Sequence, residues 1–323
     1  MRARSRLPVR LALVALAALS VTALVAGCAP TGSQSTRVTP KSQTLYHALQ
    51  TYPNIPVMQN LQYGTADGTS LRLDLCLPKA DPGATIAPRP AIIALHGGSW
   101  AHGDKSTIDW RSICQWLASE GYVAASVGYR LAPAHIYPAA IDDVRTAVEW
   151  MRAPKQVARF SIDPTLIGAF GGSAGANLAA LLGTEGTGKL DSGYRVAAVA
   201  ELSGPMNITA SGPELADFLP AERSYLGCQS LAACPNARGA SPLFHIDSSD
   251  PPFFVGHSTA ERIPLAQAEA FVTKLRAAGI DTTFVTVKGQ LHSIAMLDKG
   301  MRERVAAFFH DKLVHPVIGA AKG

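Results

Sequence analysis

The chain is 323 residues long and carries 29 Lys+Arg against 24 Asp+Glu, a net charge of +5. At 47% hydrophobic and 16% charged, it is too apolar and too varied for a disordered, collagen-like or disulfide-dense miniature protein. Four arginines (Arg2, Arg4, Arg6, Arg10) fall in residues 1–27 with no acid, and the remainder balances 25 against 24, which leaves no basic footprint for nucleic acid.

The first element in chain order reads as an address rather than a fold. An Arg-rich start precedes Leu11–Val25, apolar apart from Ser20 and Thr22, and then Val25-Ala26-Gly27-Cys28. A charged start, a short apolar core and small residues before a cut site make a secretory signal. The ending resembles the bacterial lipoprotein lipobox, and that resemblance implies cleavage before Cys28 and acylation of its thiol. Residues 1–27 are thus expected to be a lipoprotein signal peptide and 28–50 a tether. The protein is then exported and held by lipid on the outer face of the bacterial cell membrane. A secreted form or an uncleaved N-terminal helix anchor is the alternative.

From about residue 60, short apolar runs alternate with amphipathic segments, the pattern of a mostly parallel sheet with helices on both faces. Strands are predicted at Leu71–Leu77, Ala91–Leu95, Tyr122–Val127, Leu166–Phe170, Val196–Leu202, Phe253–Gly256 and Thr283–Val287. The run Ala91–Leu95 is continuously apolar, as a strand covered on both faces requires. Helices are predicted at Pro138–Arg152, with an inward stripe of Ile141, Val144, Val148 and Met151, at Pro264–Ala278, and at about Asp298–Leu313. One α/β domain is expected over 51–323, with an irregular Pro/Gly/Ala-rich insertion at about 204–242 partly covering a site. Four cysteines follow Cys28. Cys228 and Cys234 would close a tight loop, Cys76 and Cys114 would pair by elimination, and buried free thiols are the alternative. No Cys/His spacing suggests a metal site, and no cofactor is expected.

The strongest local signal is Gly171-Gly-Ser173-Ala-Gly175, set between the strand Leu166–Phe170 and the helical run from Ala176. Ser173 would occupy a strained strand-to-helix turn whose flanking glycines avoid backbone collisions, lifting the hydroxyl to the carboxyl edge of the sheet. A base must reach the same edge. His292, in the loop after Thr283–Val287, is so placed, whereas His47, His310 and His315 lie near the ends of the fold and His135 and His257 sit within or next to structural elements. Glu261 is the only carboxylate between Phe253–Gly256 and the next helix, and so is the candidate to orient His292. Directly after Ala91–Leu95 stands His96-Gly97-Gly98-Ser99-Trp100, a glycine turn able to aim amides at a developing alkoxide, with Ala174 adding another.

At these residues the chain resembles the α/β-hydrolase superfamily, and more closely its hormone-sensitive-lipase-like and feruloyl-esterase-like carboxylesterases. The resemblance spans roughly residues 55–315. It rests on His96–Trp100, Tyr129-Arg-Leu-Ala-Pro-Ala-His135 with Tyr137-Pro-Ala-Ala-Ile-Asp-Asp143, Gly171–Gly175, Glu261 and His292. It implies an α/β-hydrolase fold and a Ser173–His292–Glu261 triad. The oxyanion amides would come from Gly98, Ser99 and Ala174. His96, Gly97, Trp100, Gly171 and Gly175 would shape the site, and Tyr129–Asp143 would buttress it. Two departures stand out: Ser99 replaces the usual third glycine, and the acid is Glu on a shorter loop where Asp is commoner.

The expected activity is a serine carboxylesterase acting through an acyl-enzyme on Ser173, with a small ester or an acylated polysaccharide as substrate. Trp100, Trp110 and Trp116 raise a sugar-stacking surface, with Trp110 and Trp116 favoured as core. The absence of a long apolar cap points to short acyl chains. An amidase, formamidase or peptidase on the same fold is the enzymatic rival. A catalytically dead surface-binding lipoprotein is the rival of another class. Oligomeric state stays open.

Overall fold

The computed structural model describes residues 52–79, 87–213 and 215–313. The expected signal peptide, the tether and Cys28 lie outside the described residues. Among those described, no helix is long and apolar enough to cross a membrane.

Eight strands form one sheet: β1 (Val57–Ala66), β2 (Thr69–Cys76), β3 (Arg89–Leu95), β4 (Val123–Val127), β5 (Ile162–Gly172), β6 (Ala198–Leu202), β7 (Phe253–Ser258) and β8 (Thr282–Val287). Their spatial order is β1-β2-β4-β3-β5-β6-β7-β8, with β2 antiparallel to both neighbours and every pair from β4 onward parallel. The helices are α1 (Ile108–Ser119), α2 (Ala139–Arg152), α3 (Pro154–Phe160), α4 (Ala174–Thr184), α5 (Leu219–Leu226), α6 (Asn236–Gly239), α7 (Leu265–Ala277) and α8 (Lys299–Lys312). This is an α/β-hydrolase fold.

The seven expected strands, the three helices with predicted bounds and the helical run after Ser173 are all present, within a few residues at each end. Strand β1 was not expected. Its face is half exposed and its register against β2 shifts twice, so its apolar alternation is blurred. The Asp67-Gly68 turn, with both residues at positive φ (48° and 74°), was the available hairpin signal.

Side chains on the two faces of the sheet build two cores. One gathers α2, α4 and α7, with Ile141, Val144, Val148, Leu178, Phe271 and Leu275 buried. The other gathers α1 and α8, with Trp110, Trp116, Met301, Val305 and Phe309 buried. Helix α4 is buried on every side, which explains why its sequence is apolar all round. Its one side-chain amide, Asn177, donates through Nδ2 to the carbonyls of Pro205 (2.9 Å) and Ala240 (3.1 Å), which pins the following insertion. Gln267 on α7 clamps the same insertion, accepting from Met206 and Asn207 N–H and donating to the carbonyls of Asn207 and Pro213. The insertion is therefore more ordered than its composition suggests, and it contains α5 and α6.

Both cysteine pairs are disulfides. Cys76–Cys114 ties α1 to β2, and Cys228–Cys234 closes a small loop after α5. The first spans 38 residues, and loop-closure entropy assigns such a crosslink about 4 kcal/mol, against about 2 kcal/mol for the short loop. A Cys76→Ala/Cys114→Ala double variant is expected to lose about that larger amount in a denaturant titration. An unchanged unfolding midpoint would contradict it.

Candidate active site

The strand order reverses around β3, which lies between β4 and β5, and ligand crevices form outside the carboxyl ends of strands at such a point. Leu95 at the end of β3 pairs with Gly171 near the end of β5. The glycine turn and the serine turn are thereby set side by side.

Ser173 sits between β5 and α4 with φ 57° and ψ −122°, a conformation an L-residue adopts only under constraint. The constraint is close packing. A Cβ on Gly175 would run into the carbonyl oxygens of Leu95 and His96, and one on Gly171 into the carbonyl of Gly175. The amide of Ser173 donates to the carbonyl of Leu202 at 2.9 Å, fixing the turn to β6.

His292 follows β8 and Glu261 follows β7, so both come from the carboxyl edge that carries Ser173. His292 Nε2 lies 2.9 Å from Ser173 Oγ, and His292 Nδ1 hydrogen-bonds Glu261 Oε2. With Nδ1–H donating to the carboxylate, Nε2 presents its lone pair to the serine hydroxyl. The Glu261 side chain is fully buried and that of His292 about a quarter exposed. The longer carboxylate on its short loop reaches the imidazole. Glu261 Oε1 accepts from Ser203 Oγ (2.7 Å) and from Ser258 N–H (3.1 Å), with His257 Nε2 at 3.3 Å. His257 donates that Nε2–H to the carbonyl of Ile263 at 2.9 Å. Asp250, by contrast, lies before β7 beside Arg195, away from His292.

The turn after β3 winds through three positive φ angles, Gly98 (122°), Ser99 (53°) and Trp100 (56°). The Gly98 carbonyl closes it by accepting from Ala101 (3.1 Å) and His102 (2.9 Å). A Cβ on Gly98 would collide with the His102 carbonyl, so glycine is required there, whereas Ser99 tolerates its left-handed conformation at a modest cost. Among the described residues, no loop hydrogen bond engages the amides of Gly98, Ser99 or Ala174, which remain available to a ligand oxygen. His96 is buried, stacks on Tyr129 with ring centroids 4.2 Å apart, and its carbonyl accepts the Tyr129 hydroxyl at 2.6 Å. Burial pushes the His96 imidazole below its ordinary pKa and the Tyr129 phenol above its own, so both stay neutral. Arg130 grips Asp143 through several bonds of 2.8–3.0 Å, completing the buttress beside the turn.

Ser173 opens onto two spaces of unequal size. One is a cleft of about 260 Å³ lined by Gly97, Gly98, Ser99, Asp109, Trp110, Ser173, Phe218, Arg262, His292, Ser293 and Ile294. The other is an apolar slot of about 10 Å³ walled by Ser99, Trp100, Ala174, Pro205, Leu215, Phe218 and Ile263. Phe218 divides them, with His292 on one side (6.2 Å between rings) and the Arg262 guanidinium 4.6 Å from its centroid. The Asp109 carboxyl at the cleft is raised above its ordinary pKa by partial burial.

Three features were not foreseen. Trp100 is 2% exposed and stacks face to face on Tyr225 of α5, 4.4 Å between centroids. Trp110 and Trp116 are buried as the sequence favoured, so these three indoles form no open sugar-stacking platform. Ser203, His257 and Ser258, which hold Glu261, and Phe218 and Leu215 of the insertion were likewise missed. Last, Glu201 at the end of β6 is a fully buried carboxyl pushed well above its ordinary pKa, chiefly by burial and further by the nearby Glu261 charge. It accepts the Gly204 N–H at 2.9 Å, which lowers the pKa but does not offset the burial. No group of His, Cys, Asp and Glu among the described residues could hold a metal ion.

The BD-FAE family model matches residues 73–275, a span that holds Ser173, the glycine turn and Glu261 and stops short of His292. Esterase LipC of Mycobacterium tuberculosis is 33% identical over 222 residues, 65% of this chain and 54% of that protein. The chain thus spans about half the length of this curated relative. Among solved structures, a truncated carbohydrate esterase from gut microbiota superposes with a TM-score of 0.64 at 24% identity, covering 80% of this chain and 96% of that one. Esterase 2 of Thermogutta terrifontis, phosphonylated by sarin, superposes with a TM-score of 0.63 at 22% identity, covering 80% and 93%.

Proposed function

The chain belongs to the BD-FAE family, and from that premise and the site geometry we propose that it is a serine carboxylesterase working through an acyl-enzyme on Ser173. The carrying observation is the 2.9 Å approach of His292 Nε2 to Ser173 Oγ, with Glu261 behind Nδ1. In the first half-reaction His292 takes the hydroxyl proton as Ser173 Oγ attacks the ester carbonyl. Glu261 stabilises the imidazolium, and the amides of Gly98, Ser99 and Ala174 hold the oxyanion. The imidazolium then protonates the departing alcohol. Water, deprotonated by the same His292, hydrolyses the acyl-serine and regenerates the hydroxyl.

The substrate is a short acyl ester of a sugar or other polar alcohol. The slot on the Ala174 side, about 10 Å³, has room for about one water molecule, which suits the methyl of an acetyl group and leaves no room for a feruloyl ring. The larger cleft, with Asp109 and Arg262 at its walls, suits a hydroxylated alcohol portion. The name of the carbohydrate esterase neighbour supports the same reading. The lipobox-like Val25-Ala-Gly-Cys28 supports export and lipid anchoring at the cell surface, where an acylated polysaccharide would be met.

A chain-length series of nitrophenyl esters tests the proposal. Each methylene beyond acetyl is expected to cost roughly 10-fold in kcat/KM while the slot stays closed. Phe218→Ala, by opening its wall, should raise butyrate relative to acetate by roughly the same factor. Octanoate turned over as well as acetate would overturn the slot assignment. No ester turnover, with no labelling of Ser173 by a fluorophosphonate, would favour the surface-binding reading instead.

A further inference from the structure

We propose that Ser203 is a positioning residue of this site, its hydroxyl coupling the acid to the loop that carries the base; the inference rests on the ester-hydrolase reading above. Ser203 follows β6, is fully buried, and continues the sheet by donating its amide to the Gly256 carbonyl at 2.9 Å. Its Oγ does two things at once. It donates to Glu261 Oε1 at 2.7 Å and accepts the N–H of Ser293 at 2.8 Å. Ser293 is the residue after His292, so one hydroxyl fixes the carboxylate and the backbone next to the imidazole together.

The backbone around this hydroxyl is itself constrained. Ser203 holds φ 59° and Ser293 holds φ 60°, left-handed conformations that a non-glycine residue keeps only where its surroundings dictate them. Behind Ser203, the Gly204 N–H is fixed by buried Glu201, which sets the direction in which the turn leaves β6. Glycine would suit the φ of Ser203 better than serine, yet would supply neither bond. The serine side chain is explained by the two contacts it makes. A hydroxyl can donate to a carboxylate and accept an amide through one atom, which a thiol does only weakly. Without it, Glu261 Oε1 keeps the Ser258 amide and the more distant His257, neither of which touches the His292 loop. Among the described residues the two loops would then be joined, apart from the Glu261–His292 bond itself, upstream of His292, where the Ala260 N–H meets the Gly289 carbonyl at 2.9 Å and the Gly289 N–H meets Thr259 Oγ1 at 3.2 Å.

The test compares Ser203→Ala with Ser203→Gly. Alanine removes the hydroxyl and keeps the strained φ; glycine removes the hydroxyl and relieves it, which protects folding. Both are expected to lower kcat on nitrophenyl acetate about 10- to 100-fold with KM within about 3-fold of wild type, the loss of one buried charge-assisted hydrogen bond. In both, the downfield proton resonance of the His292 Nδ1–H to Glu261 bond should shift or broaden. Glycine restoring kcat while alanine does not would overturn the proposal, since the backbone and not the hydroxyl would then matter. So would an unchanged kcat and resonance with only a lowered melting temperature. The resonance needs no substrate, so it judges Ser203 even if wild-type protein proves not to hydrolyse esters.

Discussion

Ser173→Ala is expected to lower kcat on a short-chain nitrophenyl ester by at least about 10⁴-fold while leaving KM and the circular-dichroism spectrum nearly unchanged. The size follows from the chemistry: with no Oγ there is no acyl-enzyme, and water must attack directly. What remains is the stabilisation that the amides of Gly98, Ser99 and Ala174 give to the oxyanion, together with substrate binding. The fold should survive because the Ser173 side chain bonds only His292 among the described residues, while the turn is held by the Ser173 amide on Leu202 and by the packing of Gly171 and Gly175. Alanine suffers the same left-handed strain as serine, so no new backbone cost arises. A variant keeping more than a tenth of wild-type turnover would remove Ser173 from the mechanism.

Glu261→Gln carries the second large effect, and its cause is tautomeric rather than steric. Among the described residues, Oε1 of Glu261 accepts from the Ser203 hydroxyl and the Ser258 amide, and His257 Nε2, another donor, lies 3.3 Å away. A glutamine must therefore place its carbonyl oxygen there and turn its NH₂ toward His292 Nδ1. Nδ1 then becomes the acceptor and the proton moves to Nε2, which faces Ser173 and can no longer take its proton. Loss by the same route in a serine protease triad is about 10⁴-fold in kcat, and a similar fall is expected here with stability nearly retained. Kinetics and a thermal melt on the one variant measure both. A fall of less than 10-fold would mean that Glu261 does not set the tautomer.

What could be read in the sequence was whatever depends on local spacing or on strand order. The elbow at Ser173 is local, because glycines two residues either side of a serine have one geometric reason to be there. The neighbourhood of His292 and Glu261 follows from topology, since loops after parallel strands share one edge. The supporting residues were hidden for a physical reason. Ser203 faces Glu261 only through the β6–β7 register, and its φ is invisible in sequence. The Trp100 ring is closed off by Tyr225, supplied by α5, a helix inside a stretch whose Pro/Gly/Ala composition suggested no regular structure. The slot depends on the same stretch, through Leu215 and Phe218, and on how Asn177 and Gln267 pin it. Strand β1 was lost because a half-exposed edge strand with shifted register has no clean alternation.

The net charge of +5 resolves into the four arginines of residues 1–27 and a nearly balanced remainder. The membrane association we propose would rest on lipid at Cys28 rather than on surface charge.

The central claim, a nucleophilic Ser173 activated by His292, is tested most directly by mass spectrometry of the protein after exposure to a fluorophosphonate. The account predicts one adduct per chain, located on the peptide containing Ser173, formed in step with loss of ester hydrolysis and absent from Ser173→Ala. Full esterase activity without an adduct, or an adduct on another residue that tracks the loss of activity, would contradict it.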